Sequence, residues 1–443
     1  MMLTNCYRPL WPNKTAIASL WIAPLLVLGL LSPLPALAQT ESIIYNFDYS
    51  TFYGEGCPFG TNNDNPHTGL LVYQGHLYGT TPEGGTGAKK IPSSPDGTVF
   101  RLTNPKTGGL WTEKTLHSFQ PEPNQPGNGP LFDGLYPCSS LIQENGTLYG
   151  TTQYGSPNGF GSIFALLPPG TGETKWTEYQ IYNFTGESDG EYPFDGLVMD
   201  KNGAFYSVTR SSEDGLNRPT VFQLVCSYGT CTANTIAYNT SGIVYNGDLL
   251  LDPSTGSLFG TTQNGGPNGT VGYGNVFQLA PAGNGKYNYY DLYDFTGNSD
   301  GDRPNGGLVG QTGDLFGTTQ YGGFSDGTNG GGVVFELREL TPGSPYTLII
   351  QHTFAGAFNN DAWGPAAGLY KDATGNLWGA SEYGGWFRTV KIYSNNGTIF
   401  KLTSSRPGEW SYDVLWDFGG GPADGAFPQG RLTGDSKGNI YGT

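Results

Sequence analysis

The 443-residue chain is poor in charge, with only 13% of its residues Asp, Glu, Lys or Arg, and poorest in positive charge, with 21 Lys and Arg against 37 Asp and Glu. A surface of that sign repels phosphate backbones and anionic lipid, so nucleic acid is excluded as a partner. Histidine is limited to His67, His76, His117 and His352, four scattered residues with no Ser or Cys in a nucleophile context beside them. Catalysis by a nucleophile and its base therefore has no support in the sequence. Long apolar runs and low-complexity linkers are both missing after the first forty residues, which leaves one domain with ample chain for a large core. Such a chain, with 71 Gly and 31 Pro, would suit disorder were aromatics also scarce, but 28 Tyr, 24 Phe and 9 Trp are present.

Residues 1–38 read as a secretory signal peptide. Arg8 and Lys14 precede an apolar run from Ile17 to Leu31, and Ala36-Leu37-Ala38 offers a small-residue cleavage site before Gln39. Pro24, Pro33 and Pro35 break the segment and leave it short of the roughly 20 residues of a membrane span. Cleavage removes two basic residues and no acidic one, taking the net charge from −16 to −18. The expected product is an exported or surface-displayed domain over 39–443, with no membrane insertion once the signal is removed.

What that domain has in abundance is one repeated phrase, an aromatic residue followed by Gly-Thr, at Tyr78, Tyr149, Phe259, Phe316 and Tyr441. Worn copies stand at Tyr206-Ser207-Val208 and Trp378-Gly379-Ala380. The copies lie 53 to 71 residues apart, about one four-stranded propeller blade with generous loops. Each unit reads as strand a (Gly196-Leu197-Val198, Gly307-Leu308-Val309), an Asp- and Gly-rich turn, strand b carrying the phrase, and a Gly-rich loop. Strand c (Val99-Phe100-Arg101-Leu102, Val334-Phe335-Glu336-Leu337) and strand d (Tyr182-Asn183-Phe184, His352-Thr353-Phe354) follow. The expected fold is an all-β propeller of antiparallel blades, with an open β-array as the competing layout. Six full units, an N-terminal strand d at Tyr45-Asn46-Phe47 and a C-terminal a-b pair amount to seven blades lacking one strand c. A chain truncated within its last blade is expected.

Leu315-Phe316-Gly317-Thr318-Thr319-Gln320-Tyr321-Gly322-Gly323, through Val334-Phe335-Glu336-Leu337, resembles the GloVer (Gloeo/Verruco) tandem repeat of exported bacterial proteins. The resemblance covers roughly residues 65–443 and weakens in the third unit, where Tyr206-Ser207-Val208-Thr209-Arg210 lacks the Gly-Gly. It implies export and a repeat fold, and is silent on chemistry.

Cys226 and Cys231 flank a hairpin between a strand c and a strand d and are expected to form a disulfide; four His and no second Cys pair nearby weigh against zinc. Cys57 and Cys138 occupy d-to-a crossovers of successive units, either bridged or as two free thiols. A recurrent carboxylate before strand a, at Asp64, Asp133, Asp189, Asp300, Asp361 and Asp424, could ring one mouth of the channel and bind Ca²⁺, a cation or a sugar. Alternatively each Asp caps its own turn. Two b-to-c loops depart from the repeat with Arg210, Glu213, Asp214 and Arg218, and with Trp386, Phe387, Arg388 and Lys391, candidates for gripping an anionic or carbohydrate ligand. The functional expectation is a monomeric, cofactor-free binding module for extracellular glycans or envelope proteins. The alternative is a hydrolase or lyase acting on polysaccharide at the channel.

Overall fold

The computed structural model describes residues 41–443 except 46, 48–67, 83, 86–96, 106–108, 120–132, 211–218, 228, 239–246, 266–271, 325–329, 356–360, 366, 388–391, 394, 407 and 420–423. Contacts divide the chain into Met1–Thr40 and Glu41–Thr443, and everything below concerns the second unit. Among the described residues every regular element is a strand, and no helix is long and apolar enough to cross a membrane.

Six antiparallel blades succeed one another along the chain. Blade 1 holds β1–β4 (Leu71–Tyr73, His76–Thr81, Thr98–Thr103, Thr112–Ser118), and blade 2 holds β5–β8 (Ile142–Glu144, Thr147–Thr152, Ser162–Leu167, Thr177–Asn183). Blade 3 holds β9–β13 (Glu191–Pro193, Val198–Met199, Phe205–Arg210, Thr220–Ser227, Thr230–Tyr238), and blade 4 holds β14–β17 (Leu250–Leu251, Leu258–Thr262, Asn275–Gly283, Lys286–Asp294). Blade 5 holds β18–β22 (Asp302–Pro304, Val309–Gln311, Asp314–Tyr321, Val333–Glu339, Tyr346–Thr353). Blade 6 holds β23–β25 (Ala362–Pro365, Tyr370–Lys371, Leu377–Gly384) with β28 and β29 (Thr398–Arg406, Glu409–Asp417), and β26–β27 (Trp386–Phe387, Ile392–Tyr393) form a side hairpin. A two-stranded sheet, β30–β31 (Thr433–Gly434, Ile440–Tyr441), follows.

Each residue of the repeated phrase has a recurring contact. The aromatic reaches the a-b turn: Tyr206, Trp378 and Tyr441 donate to Asp200, Asp372 and Asp435 at 3.1, 2.8 and 3.0 Å. The Gly lies opposite the strand-c Phe, in pairs such as Gly150 with Phe164 and Gly317 with Phe335. A Cβ at Gly317 would stand 2.5 Å from the Phe335 ring, so only glycine lets that ring lie across strand b. The Thr joins blades: the hydroxyls of Thr80, Thr151, Thr261 and Thr318 donate to inner carbonyls of the next blade, at Ser139, Asp195, Gly306 and Ala367 (3.1–3.5 Å). Thr443 makes the same bond to Thr68 of blade 1 at 3.4 Å. Val208 and Ala380, the worn copies, have no hydroxyl to give.

Crowding around the axis is backbone on backbone. A Cβ on Gly368 would lie 2.4 Å from the Gly307 carbonyl oxygen, and one on Gly307 would lie 2.8 Å from that of Asp248, which is why strand a opens on glycine in blades 5 and 6. Farther out, a strand-d Phe meets the strand-c Phe of the next blade edge-on, in Phe119–Phe164, Phe184–Phe222, Phe295–Phe335 and Phe354–Phe400, with centroids 5.1–5.2 Å apart. Phe47 repeats the contact on Phe100 at 5.0 Å, and the Trp111 amide donates to the Ile44 carbonyl at 2.9 Å. Covered on both faces, strands such as β7 bury consecutive residues.

Candidate functional site

The recurrent carboxylates cap turns. Asp189 accepts from the Tyr182 hydroxyl and the Thr185 amide at 2.8 and 2.9 Å, and Asp300 accepts from Tyr293 and the Thr296 amide at 3.1 and 2.8 Å. Asp361 takes the Ala355 amide at 2.8 Å and lies 3.1 Å from His352 Nε2; Asp424 takes the Trp416 indole and the Gly419 amide at 3.0 and 2.6 Å. Asp133 lies 3.1 Å from His117 Nε2. In every case the partner side chain belongs to strand d, so these carboxylates stand against the outermost strand of their own blade and away from the axis. Asp64 lies outside the described residues.

The inner end of the b-to-c face carries a different set. Just before the Pro that leads into strand a, Tyr136, Tyr192, Arg303 and Phe427 all adopt a left-handed backbone, with φ of 54–55°. Gly364 holds the same place in blade 6 at 63°. Each non-glycine residue there costs on the order of 1–2 kcal/mol, and Gly364 shows that the backbone needs no side chain at this point. The side chains gather along the mouth: Tyr154 lies between Tyr136 and Tyr192, with centroids at 5.4 and 5.0 Å. Arg303 covers Tyr321 at 5.4 Å. Tyr383 lies between Trp363 and Phe427 at 5.9 and 6.0 Å, and Phe427 is 41% exposed.

Arg210, the one sequence candidate of the third-unit loop within the described residues, sits in this mouth at the end of β11. Its guanidinium lies 4.3 Å over the Phe194 ring, and Glu191 pairs with it across the ladder. Burial pulls its pKa down to about 10, against the pull of Asp195 and Tyr154. Asp195, beneath it, is pushed up to about 7 by burial and by Asp248, while Arg210 and the Gly247 amide hold it down. Arg218 and Arg388 lie outside the described residues, and Trp386 lies in β26 of the side hairpin. The mouth aromatics escaped the sequence reading, although aligning the residue before each Asp-Gly-x-x-Pro proline would have grouped Tyr136, Tyr192, Arg303 and Phe427.

A cleft of 490 Å³ between blades 1 and 2 is lined by Tyr73, Tyr78, Arg101, Lys114, Glu173 and Trp176. Lys114 Nζ donates to the Thr174 carbonyl at 3.4 Å, drawing the two blades together. Cys226 and Cys231 are bridged across β12 and β13, as their spacing predicts. Cys138 is also disulfide-bonded; Cys57 lies outside the described residues.

Four-stranded antiparallel blades gathered around a crowded axis define a β-propeller. The chain belongs to the Gloeobacter/Verrucomicrobia repeat family, whose pattern matches residues 38–218 and again 214–443. Comparison with curated proteins finds no match. Among solved structures the chain is similar to the polysaccharide lyase Uly1, at 12% identity and a TM-score of 0.48, over 91% of this chain and 90% of that one. It is also similar to Trypanosoma rangeli sialidase (9%, TM-score 0.38, 91% and 56%) and to a Niastella koreensis GH74 enzyme (15%, 0.39, 84% and 53%). Likeness at these levels carries nothing about chemistry.

Proposed function

We propose that the protein is an exported propeller that binds glycans, preferably anionic ones, at the b-to-c mouth. The observation that carries this is the recurrence of Tyr136, Tyr192, Arg303 and Phe427 in a left-handed conformation that glycine would adopt without strain. Aromatic faces stack on sugar rings, and Arg210 and Arg303 beside them supply charge for a carboxylate or sulfate. Export is supported by the signal-like segment 1–38 and by the Cys226–Cys231 bridge, which belongs to oxidising compartments. Ring closure through a seventh blade is supported by Thr443 bonding Thr68 and by Phe47 repeating the d-to-c Phe contact on Phe100; β30–β31 and the segment around Ile44 would be its inner and outer parts. No cofactor enters this reading.

A glycan array probed with the purified protein tests it, followed by titration of the best ligand against Arg303→Ala and Phe427→Ala. Both residues are exposed, so the variants fold, and each is expected to weaken binding about tenfold, the scale of one cation–π or stacking contact. Silence on every neutral and anionic glycan refutes the proposal. The enzymatic alternative, a hydrolase or lyase acting on polysaccharide at the channel, would be established by release of shortened product.

A further inference from the structure

We propose that His117, Asp133 and Glu178 form a divalent-cation site between blades 1 and 2, of the kind that suits Zn²⁺. One imidazole nitrogen and two carboxylate oxygens lie within 4.8 Å of one another there. His117 comes from the end of β4 and Asp133 from the crossover after it, while Glu178 reaches across from β8 of the next blade.

The repeat supplies its own control. Glu178 pairs with Leu166, and its counterpart in blade 6, Tyr412, pairs with Leu402 in the same register. Tyr412 also reaches back to a His–Asp pair of the preceding blade: its ring stacks on His352 at 3.6 Å and its hydroxyl donates to Asp361 Oδ1 at 2.5 Å. In blades 5 and 6 the cluster is thus complete, with a donor aimed at the carboxylate. Between blades 1 and 2 the same position aims an acceptor at an acceptor. Glu178 Oε1 is shut off from solvent and has no hydrogen-bond partner. At this register blades 3, 4 and 5 place Ala233, Tyr289 and Leu348, and blade 1 places Glu113, whose carboxylate accepts from the Thr115 hydroxyl at 3.1 Å, whereas Glu178 faces a His–Asp pair of the preceding blade.

A cation bound by all three groups removes this conflict. One nitrogen and two oxygens match the donors that Zn²⁺ accepts, at about 2.0–2.2 Å, with a fourth position left for water. Ca²⁺ takes six to eight oxygens and finds too few. His117 Nε2 and the Asp133 carboxylate already stand 3.1 Å apart, near the separation of two donors on one tetrahedral ion. The His117 and Asp133 side chains are 18% and 27% exposed, which gives an ion access from solvent.

The test is isothermal titration of the chelator-treated protein with Zn²⁺, and separately with Ca²⁺, followed by thermal melting with and without each ion. The expected result is one Zn²⁺ per chain, a raised melting midpoint, and at least 100-fold weaker binding in Glu178→Gln and His117→Gln. Glu178→Tyr, which copies blade 6, should fold without the ion and bind none. Absence of stoichiometric Zn²⁺ binding by the wild type overturns the proposal, as does binding that survives unchanged in Glu178→Gln or a site that prefers Ca²⁺.

Discussion

Asp195 makes stability depend on pH in a way that one substitution can isolate. It lies on the ring of inner segments, fully buried, with Oδ1 accepting from the Gly247 amide at 3.3 Å. Its backbone oxygen takes the Ser207 and Thr151 hydroxyls at 3.2 and 3.5 Å. Burial first, and then the neighbouring Asp248, raise its pKa from 3.8 to about 7. The folded protein therefore keeps a proton that the unfolded chain has already released. Stability from this group is fully present below pH 3.8, declines as the pH climbs, and levels off above about 7. The whole interval corresponds to on the order of 4 kcal/mol, of which roughly 3 kcal/mol falls between about pH 5 and pH 8.

Asp195→Asn keeps an acceptor for the Gly247 amide and cannot ionise. Unfolding a domain of about 400 residues carries an entropy near 0.8 kcal/mol/K, so roughly 3 kcal/mol corresponds to about 4 °C. Thermal denaturation of both proteins at half-unit steps from about pH 5 to pH 8 should show the variant gaining on the wild type by that amount, with most of the gain below pH 7. A gap that stays constant across the range would mean that Asp195 is ionised throughout in the folded protein, and that burial does not set its charge.

Gly317→Ala should destabilise by about 1–3 kcal/mol, because the added methyl meets the Phe335 ring; in a double-mutant melt, Phe335→Leu should recover most of the loss, and no recovery would separate the two residues. Tyr412→Phe should lower stability by about 1–3 kcal/mol by leaving Asp361 short of a donor in a buried place. Although burial raises the Asp361 pKa, the His352 and Tyr412 bonds hold it below 3.8, so the stability it lends is lost as pH falls, and the variant should show a weaker loss in acid melts. Reducing Cys226–Cys231 should cost about 2 kcal/mol, the chain-entropy value for so short a loop; calorimetry of a Ser/Ser variant that melts like the wild type would show that the hairpin register holds itself.

The aromatic-Gly-Thr phrase and the Val-Phe-x-Leu strand were legible because the Gly faces the strand-c Phe, and the Thr the next blade, in most of the blades. The turn-capping role of Asp189, Asp300 and Asp361 was legible too, as the plainer of two readings. Other features depend on geometry that letters do not carry. β9 and β18 lie inside Asp-Gly-x-x-Pro segments that read as turns, and β23 inside Asp361-Ala362-Trp363-Gly364-Pro365, yet they pair with the far half of strand b and split the innermost strand in two. Strand d of blade 3 has Ala237-Tyr238-Asn239 where other blades have an aromatic pair, and forms by register with β12 alone. A tyrosine with positive φ looks like any other tyrosine, so the mouth stayed hidden. Glu178 gains meaning only from its place across the gap between two blades.

Internal repetition lets one blade serve as the control for the next, and that separates architecture from function here. A residue that recurs with the same partners, such as Asp189 with Tyr182 and Asp300 with Tyr293, is explained by the blade itself. A residue that departs from its counterparts and costs stability where it does so needs another reason. Tyr136, Tyr192 and Phe427 carry strain that Gly364 shows to be avoidable, and Glu178 brings a carboxylate where Tyr412 brings a hydroxyl. Because these departures lie at a mouth and at a blade junction, apart from the Phe–Phe contacts that join blades 1 to 2, 2 to 3, 4 to 5 and 5 to 6, ligand chemistry can vary at those two places without disturbing the contacts that hold these blades together.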